Sequence, residues 1–354
     1  MSSDKDSCSF SIGDTAQEKG LPYVPQRYVV SPSNRSSLNP EKAQVPTIDM
    51  ARLRQNDDEI RSMAIKELGD ICRHGGFFQV VNHGICQSIL DEALSVASGF
   101  FNLPTEEKMK LSSNDVYKPV RYGTSLKDGV DEVQFWRVFL KHYAYPLDAW
   151  IDSWPENPLD YREKMGKYST EVRKLAMELM RKITKSLGLG PNYLGQKMED
   201  GMQVMAVNCY PPCPEPDIAL GLPPHSDYTC LTIVLQNAPG LEILDTNDHG
   251  QWKLVPDYRG ALQVHIGDHF EVLSNGLCKS VVHRAILNSE RTRISIASLH
   301  SLGMDDKVGP AEELVDDEQH PKKYKESSFR DFLDFLAAND IGATKISFIE
   351  SLKL

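Results

Sequence analysis

The sequence predicts an α+β protein in which N-terminal helices precede an antiparallel β-sandwich or barrel and one further helix closes the chain. Three observations support this fold class. Amphipathic helix patterns dominate the chain before Gly201, short apolar strands follow at about eight-to-twelve-residue spacing, and "SSFRDFLDFLAAND" near the C-terminus is amphipathic again. Strand spacing of this kind is typical of sandwiches and barrels.

The first strong helix pattern is "DDEIRSMAIKELGDICRHGG", which ends at a pair of glycines. Three-to-four spacing predicts a buried face formed by Ile60, Met63, Ala64, Leu68 and Ile71. The segments "CQSILDEALSVASGFFNLP" and "TEEKMKL" predict two more helices, and "NPLDYREKMGKYSTEVRKLAMELMRKITKSLGLG" predicts the longest one. Strands are expected at "VPTIDMARL", "FFQVVNHG" and "VQFWRVFLKHYAYP", with a loop from 111 to about 130.

The texture of the chain suggests three regions. Residues 1–44 are rich in Ser, Pro and Asn and are expected to be largely irregular. Residues 45–200 form the mostly helical region, and residues 201–354 form the β-rich region with its closing helix. Segments such as "MQVMAVNCY", "CLTIVLQ", "GALQVHIGD" and "RISIASLH" are the expected strands of that last region.

The composition argues against several classes of function. Apolar residues make up 40% and charged residues 25% of the 354 residues, which are ordinary globular values, and the net charge is −11. So acidic a chain is a poor general partner for nucleic acid or an anionic membrane, and no apolar run is long enough to cross a bilayer. We therefore expect neither nucleic acid nor membrane as a partner. A small-molecule substrate and a monomer are separate expectations that do not follow from the composition.

The cysteines indicate the compartment. They number seven and form no CxxC pair. The N-terminus is polar and has no apolar core of a secretion signal. Free thiols are typical of a reducing environment, so we expect a cytoplasmic protein.

The stretch "LPPHSDYTCLTIVLQ" places His225 and Asp227 at the mouth of a predicted strand. Residues two apart in a strand project to the same face, so the imidazole and the carboxylate aim at a common point. His283 lies in another predicted strand, "SVVHRAI", which a jelly-roll can bring alongside. Two histidines and a carboxylate are the ligands of non-haem Fe(II) oxygenases, whereas the His-x-Asp pair alone also fits a polar turn.

Arg293 and Ser295 share one face of the apolar segment "RISIASL". A guanidinium fork beside a hydroxyl suits a bound carboxylate, and a charge in an apolar strand requires a partner. A dicarboxylate ligand would be such a partner, and a surface salt bridge is the alternative.

These residues carry a resemblance to the 2-oxoglutarate- and Fe(II)-dependent dioxygenases, specifically to their plant branch. "HSD", His283 and "RIS" resemble the site motifs of the family, and "VPTIDM", "GGFFQVVNHGI", "NCYPPCPEP" and "GDHFEVLSNGLCKSVVHRA" resemble blocks shared by that branch. The resemblance extends from about residue 20 to the C-terminus. It implies a double-stranded β-helix (jelly-roll) core flanked by N-terminal helices and a C-terminal helix.

By this resemblance His225, Asp227 and His283 hold Fe(II). The implied reaction uses 2-oxoglutarate and O₂, oxidises a small specialised metabolite, most simply by hydroxylation, and releases succinate and CO₂. Ascorbate is the expected reductant.

The resemblance also implies a site for 2-oxoglutarate. Arg293 and Ser295 would bind its distal carboxylate, Tyr210 matches a tyrosine that assists them, and Asn208 matches a residue near the keto end.

Substrate positions in the family come from the loop around "RYGTS", from two strands, and from the end of the "RIS" strand, while the last helix can add a lid. Here these positions offer Tyr122, Phe139, Lys141, Ala206, Leu299, Ser301, Phe332 and Phe335. The lysine could pair with an acidic substrate, or pack its stem and reach water with its amine. The aromatic residues could receive a ring or belong to the core. A flavonoid or other phenylpropanoid-type substrate is the first expectation, and a carboxylic hormone or an alkaloid the second.

Three departures argue against one activity. Members that make anthocyanidins carry a lysine at the position of Ala206, and a phenylalanine and a glutamate at the positions of Leu299 and Ser301.

Two further alternatives stay open: an oxidase of the same fold that needs no 2-oxoglutarate, as in the ethylene-forming relatives, and a catalytically silent ligand-binding protein. The complete ligand set favours an enzyme.

Overall fold

Helices lie before, between and after the strands of the chain. The structure, a computed structural model, describes residues 15–125, 133–190, 192–245, 248, 250–316, 318–339 and 347–354. The helices are α1 (Ala16–Lys19), α2 (Met50–Leu53), α3 (Asp58–His74), α4 (Gln87–Phe101), α5 (Thr105–Met109), α6 (Leu147–Trp150), α7 (Tyr161–Ser186), α8 (Gly195–Glu199), α9 (Asp268–Leu273), α10 (Phe329–Ala338) and α11 (Phe348–Leu352). Short 3₁₀ turns span Gln26–Tyr28, Pro32–Asn34, Ile151–Ser153 and Glu312–Leu314.

The strands cluster in the second half of the chain, although four of those described precede residue 201. They are β1 (Thr47–Asp49), β2 (Phe77–Val81), β3 (Val120–Gly123), β4 (Val138–Tyr145), β5 (Met202–Tyr210), β6 (Leu222–His225), β7 (Leu231–Gln236), β8 (Leu241–Asp245), β9 (Gln251–Leu254), β10 (Leu262–Ile266), β11 (His283–Ala285) and β12 (Arg293–Ser301).

These strands form two sheets. The larger has the order β1-β2-β10-β7-β12-β5-β4-β3 and the smaller the order β6-β11-β8-β9. The pairings are antiparallel apart from the parallel contact of β1 with β2. Residues from both sheets line one cavity, so the sheets face each other across it. The predicted jelly-roll core with flanking helices is confirmed.

The long helices cover the outer face of the large sheet. Helix α7 buries one stripe of side chains at helical spacing, including Met165, Val172, Leu179 and Ile183, in the main core together with residues of α3 and α4. The helices therefore stabilise the sheet from outside and leave its inner face to the cavity. None of the described helices combines the length and apolar character that a bilayer crossing requires.

Helix α3 lies where the sequence predicts it, but its buried face differs from the prediction. Ile60 and Met63 are 41% and 61% exposed, whereas Ala64, Leu68 and the neighbouring Ile65 join the core. The physical reason is that the buried face is rotated around the helix axis from the predicted one, since it comprises Ala64, Ile65, Leu68, Gly69 and Cys72. Periodicity locates a helix, but it does not fix which side of the helix the core covers.

Several other elements differ from the sequence expectations. The segment "VPTIDMARL" divides into β1 and α2 because the Asp49 side chain accepts a 2.9 Å hydrogen bond from the Ala51 N–H and caps the helix. Strand β3 lies inside the predicted loop, part of which falls outside the described residues. Helices α9 and α11 are too short for a periodic pattern to reveal them.

Candidate active site

His225 and His283 lie opposite each other on adjacent strands of the small sheet. The register of β6 and β11 pairs them directly, and their ring centroids are 4.2 Å apart. Asp227 follows β6, and its Oδ1 lies 3.8 Å from His225 Nε2 and 3.7 Å from His283 Nε2. One ligand atom from each residue lies within 4.8 Å of the others, a separation that a single metal ion can bridge.

Backbone carbonyls orient both imidazoles. His225 Nδ1 is 2.8 Å from the carbonyl oxygen of Pro223, and His283 Nδ1 is 3.1 Å from that of Val281. A carbonyl accepts only, so each Nδ1 carries the proton and donates it. Each Nε2 then turns a lone pair towards Asp227, which is the tautomer that a metal requires.

The electrostatics of the cluster set its protonation. Burial lowers the pKa of His225 and of His283 to about 4, with the nearby His283 adding to the effect on His225 and Asp227 offsetting it for both. Burial alone would raise the pKa of Asp227, but the surrounding imidazoles, led by His283, bring it well below its usual value. At neutral pH the cluster is therefore two neutral imidazoles and a carboxylate, the forms that bind metal.

The three residues line a cavity of about 500 Å³ between the sheets. That volume is in the range of small-molecule sites. The walls are mainly apolar, and the side chains that line them include Ala206, Leu222, Val234, Leu241, Ala297, Leu299, Phe332, Phe335, Leu336 and Phe348.

Arg293 and Ser295 belong to the polar part of the wall. Arg293 is 2% exposed, its Nε donates to the Ala238 carbonyl at 3.1 Å, and one Nη donates to the Gln236 side chain at 2.8 Å. Its other Nη is buried and has no hydrogen-bond partner among the described residues. A buried cation with an unused donor is suited to an anionic ligand.

Tyr210 and Asn208 stand across from these two residues. The register of β12 and β5 pairs Arg293 with Tyr210 and Ser295 with Asn208, and the guanidinium lies 4.9 Å from the Tyr210 ring centroid. Burial lowers the pKa of Arg293, and the adjacent tyrosine partly offsets this effect. All four side chains line the cavity.

Arg137 is a cavity residue that the sequence reasoning missed. It precedes β4, lines the cavity, and donates a 3.0 Å hydrogen bond to Asn208 Oδ1. Arg137 has the same strand parity as Phe139 and Lys141, but these two do not line the cavity, so parity alone could not have identified Arg137. His265, Asp268 and Phe348, also missed, line the cavity as well.

Four of the eight predicted substrate residues line the cavity, and these are Ala206, Leu299, Phe332 and Phe335. The two phenylalanines share a face of α10, as their spacing suggested, and both are half-buried. Tyr228, directly after Asp227, stacks on Phe332 with ring centroids 4.4 Å apart.

Lys141 and Phe139 are placed elsewhere. Both stand beside cavity residues in the register of β4 and β5, but β4 lies one strand further out in the sheet and its side chains are covered. Lys141 Nζ donates to the Val116 carbonyl at 3.0 Å, and burial, helped by Arg121, lowers its pKa to about 7. Phe139 is enclosed between two guanidinium groups. The Phe139 ring is therefore buried, and the half-buried Lys141 directs its amine to the Val116 carbonyl and not into the cavity.

Tyr122 and Ser301 also lie outside the cavity wall. Tyr122 faces the helical side of the sheet, where it packs against Phe100 and donates a 2.9 Å hydrogen bond to Glu18 Oε1. Ser301 lies on the same face of β12 as Ser295 and Leu299, but it is past the end of the cavity. Its hydroxyl is hydrogen-bonded to His269 Nδ1 at 3.0 Å.

A jelly-roll with a two-histidine, one-carboxylate cluster on the wall of an internal cavity defines the class of non-haem metal oxygenases. Comparison with known proteins leads to the same class. Residues 201–301 match the model of the 2OG-Fe(II) oxygenase superfamily, and residues 45–157 match that of the non-haem dioxygenase in morphine synthesis N-terminal family. The chain belongs to the 2OG-Fe(II) oxygenase superfamily and is a 2-oxoglutarate-dependent dioxygenase.

Two rice proteins (Oryza sativa subsp. japonica) are similar over most of their length. Flavanone 3-dioxygenase 3 is 47% identical over 88% of this chain and 93% of its own. The chloroplastic 2-oxoglutarate-dependent dioxygenase 21 is 52% identical over 85% and 89%. A crystal structure of JOX2 in complex with 2OG, Fe and JA is 31% identical, covers 96% of both chains and superposes with a TM-score of 0.84.

Proposed function

We propose that His225, Asp227 and His283 hold the iron that the family uses. The residues fit the ion because each offers one unprotonated donor atom towards a common point, and because the carbonyls of Pro223 and Val281 fix the imidazole tautomers. Three protein ligands leave coordination positions free for the co-substrate and O₂.

The second part of the proposal is that Arg293 and Ser295 bind the distal carboxylate of 2-oxoglutarate, with Tyr210 beside them and Asn208 near the keto end. The observation that carries the proposal is the buried Arg293 with one donor unused, on the same cavity wall as a hydroxyl. An anionic ligand would pair this charge and complete its hydrogen bonds.

Iron and 2-oxoglutarate, when bound, supply the oxidising chemistry. The residues of the chain bind the iron and the co-substrate, orient them, and shield the site from water. The strands hold the ligands at fixed separations, Arg293 and Ser295 fix the orientation of the co-substrate, and the aromatic side chains of α10 and α11 keep water from the site.

For the organic substrate we propose a flat aromatic metabolite of the flavonoid or phenylpropanoid type, and hydroxylation as the outcome. A mainly apolar cavity lined by Phe332, Phe335 and Phe348 suits a ring system, and one rice relative bears the name flavanone 3-dioxygenase 3. Incubation of a flavanone panel with enzyme, Fe(II), ascorbate and 2-oxoglutarate should give succinate in step with substrate loss. Succinate release that no flavonoid stimulates would contradict this proposal.

Arg137 favours a second candidate, a substrate with a carboxylate. Its guanidinium lies on the cavity wall and reaches Asn208, and the similar structure contains JA. A matched panel of carboxylic acids and their amides separates the two candidates, because only a carboxylate substrate should lose turnover on amidation.

The same incubations decide the remaining alternatives. Turnover without added 2-oxoglutarate would indicate an oxidase that does not need it, and failure to bind metal would indicate a silent ligand-binding protein. Ascorbate dependence, the monomeric state and the cytoplasmic location stay predictions. Omitting ascorbate tests the first prediction, and light scattering after size-exclusion chromatography tests the second. Imaging of a fluorescent fusion tests the location, for which the chloroplast is the alternative because one relative is called chloroplastic.

A further inference from the structure

A third histidine stands next to the proposed metal ligands without being one of them. His265 lies on β10 between β2 and β7, paired in register with Phe77 and Thr232, and it is 1% exposed. Its ring packs against that of Phe77 at 5.1 Å and against that of His283 at 4.4 Å. Among the described residues, the set of mutually close ligand atoms comprises only His225, Asp227 and His283, so His265 belongs to their surroundings.

The two oxygens of Asp227 have different neighbours. Oδ1 faces the Nε2 atoms of the two ligand histidines, whereas Oδ2 lies 3.5 Å from His265 Nδ1. Within the described part of the chain, neither ring nitrogen of His265 has a hydrogen-bond partner, so the approach of Nδ1 to Asp227 Oδ2 is close but does not yet have hydrogen-bond geometry. The contact is at the long limit for a hydrogen bond, and a ring shift of about 0.5 Å would bring it to the usual length.

The turn that follows His265 on β10, at Gly267 and Asp268, also holds the backbone of Asp227. The Asp268 N–H donates to the Asp227 carbonyl at 2.8 Å, and Asp268 Oδ2 accepts from the Ser226 hydroxyl at 3.1 Å. Between them, Gly267 passes so close that an added Cβ would stand 1.9 Å from the Thr229 carbonyl oxygen. The turn after β10 therefore holds the main chain around Asp227, which leaves the torsion of its carboxylate for His265 to control.

We propose that His265 is a positioning residue that donates its Nδ1–H to Asp227 Oδ2. This hydrogen bond holds the carboxylate so that only Oδ1 faces the metal. A carboxylate released from the bond could rotate and offer both oxygens, which would occupy a coordination position that the co-substrate or O₂ needs. The inference rests on the proposed metal site and is independent of the organic substrate.

Two substitutions test whether the hydrogen-bond donor of His265 matters or only the volume of its ring. In His265→Asn the amide nitrogen stands at the same number of bonds from Cα as Nδ1 and can still donate. His265→Leu places a methyl group there and removes the donor at similar volume. With Mn(II) as the probe and electron paramagnetic resonance as the measurement, we expect His265→Leu to raise the Kd about 10- to 100-fold and His265→Asn to change it by less than about threefold.

A spectroscopic measurement tests the denticity of Asp227 directly. The visible absorption of the Co(II)-loaded protein should change in His265→Leu and remain like the wild type in His265→Asn. A normal Mn(II) affinity in His265→Leu, or an equal loss in both variants, would overturn the inference, because the ring and not its donor would then matter. If circular dichroism shows that His265→Leu does not fold, His265→Val replaces it, since a β-branched residue suits the strand. A wild-type protein that binds no Mn(II) would instead overturn the metal site itself and this inference with it.

Discussion

The two ends of the cavity are built in different ways. At the inner end, by which we mean the part of the wall that carries the proposed iron and 2-oxoglutarate residues, most polar residues lie on paired strands. Strand register brings His225 to His283 and Arg293 to Tyr210. At the mouth, the part of the wall formed by α10 and α11, the side chains come from amphipathic helices that follow the jelly-roll in sequence and turn mainly phenylalanine and leucine towards the cavity. The difference teaches that hydrogen-bonded strands position the reacting groups, while appended helices shape the space in which the substrate lies.

The mouth is nevertheless tied to the inner end through one residue. Tyr228, next to Asp227, stacks on Phe332, and its hydroxyl lies 2.8 Å from both the Ser327 hydroxyl and the Ser328 carbonyl at the start of α10. Ser328 and Asp331 cap this helix reciprocally. Helix α10 is therefore anchored to the jelly-roll at its first turn. Its cavity-facing side chains can be replaced without disrupting a strand pairing.

Removal of a proposed ligand should have the largest effect, because it acts at the centre of the inner end. We expect Asp227→Ala to lower metal affinity and turnover by more than about 100-fold, since loss of even a supporting partner costs about 10- to 100-fold. Metal titration and succinate release measure both. Asp148→Ala, at an exposed aspartate on α6, is the matched control. Intact metal binding in Asp227→Ala would remove this residue from the ligand set.

Arg293→Lys tests the co-substrate part of the inner end. An ammonium cannot reproduce the guanidinium fork, so the KM for 2-oxoglutarate should rise by about 10-fold or more, with a smaller effect on the KM for the organic substrate. Steady-state kinetics at varied 2-oxoglutarate give the result. The exposed Arg291→Lys, two residues earlier, should leave both constants unchanged. An unaltered KM for 2-oxoglutarate would contradict the assignment of Arg293.

Acid should destabilise the fold through buried histidines, of which two are at the inner end and His269 lies beyond the cavity wall. Burial lowers the pKa of His225 and His283 to about 4 and that of His269 to about 3, so the unfolded chain binds more protons than the folded one between about pH 6.5 and pH 4. Stability should therefore fall as the pH falls through that window, by up to about 2 kcal/mol for each histidine at pH 5.

Urea unfolding of the metal-free protein at pH 7 and pH 5 measures this loss. The His269→Gln variant lacks one of the linked protonations, so its stability should change less between the two pH values than that of the wild type. An equal change in both proteins would show that His269 is not part of the linkage.

The smallest effect is expected at the mouth. Phe332→Ala removes part of a half-buried aromatic surface, and we expect the KM for the organic substrate to rise about fivefold while the KM for 2-oxoglutarate stays constant. Kinetics at varied concentrations of each substrate separate the two constants. Tyr258→Ala, which removes a ring that is 57% exposed, serves as the control. A change in the affinity for 2-oxoglutarate would mean that the two ends are not independent.

The sequence by itself determined the inner end of the cavity. Strand parity placed Arg293 and Ser295 on one strand face, and the spacing of His225 and Asp227 pointed to a common ligand site, because alternation along a strand is a local property. The resemblance to the oxygenase family then favoured His283 as the third ligand, and it supplied Ala206, Leu299 and the jelly-roll.

Only the tertiary structure decided which inward residues reach the cavity. Phe139 and Lys141 have the correct parity but lie on a strand further out, where neighbouring side chains and the Val116 backbone cover them. Ser301 has the correct parity but lies past the end of the cavity. Arg137, His265 and Phe348 reach the site through strand order and the docking of a terminal helix. These features depend on contacts between residues far apart in the chain, and no local pattern of residues encodes such contacts.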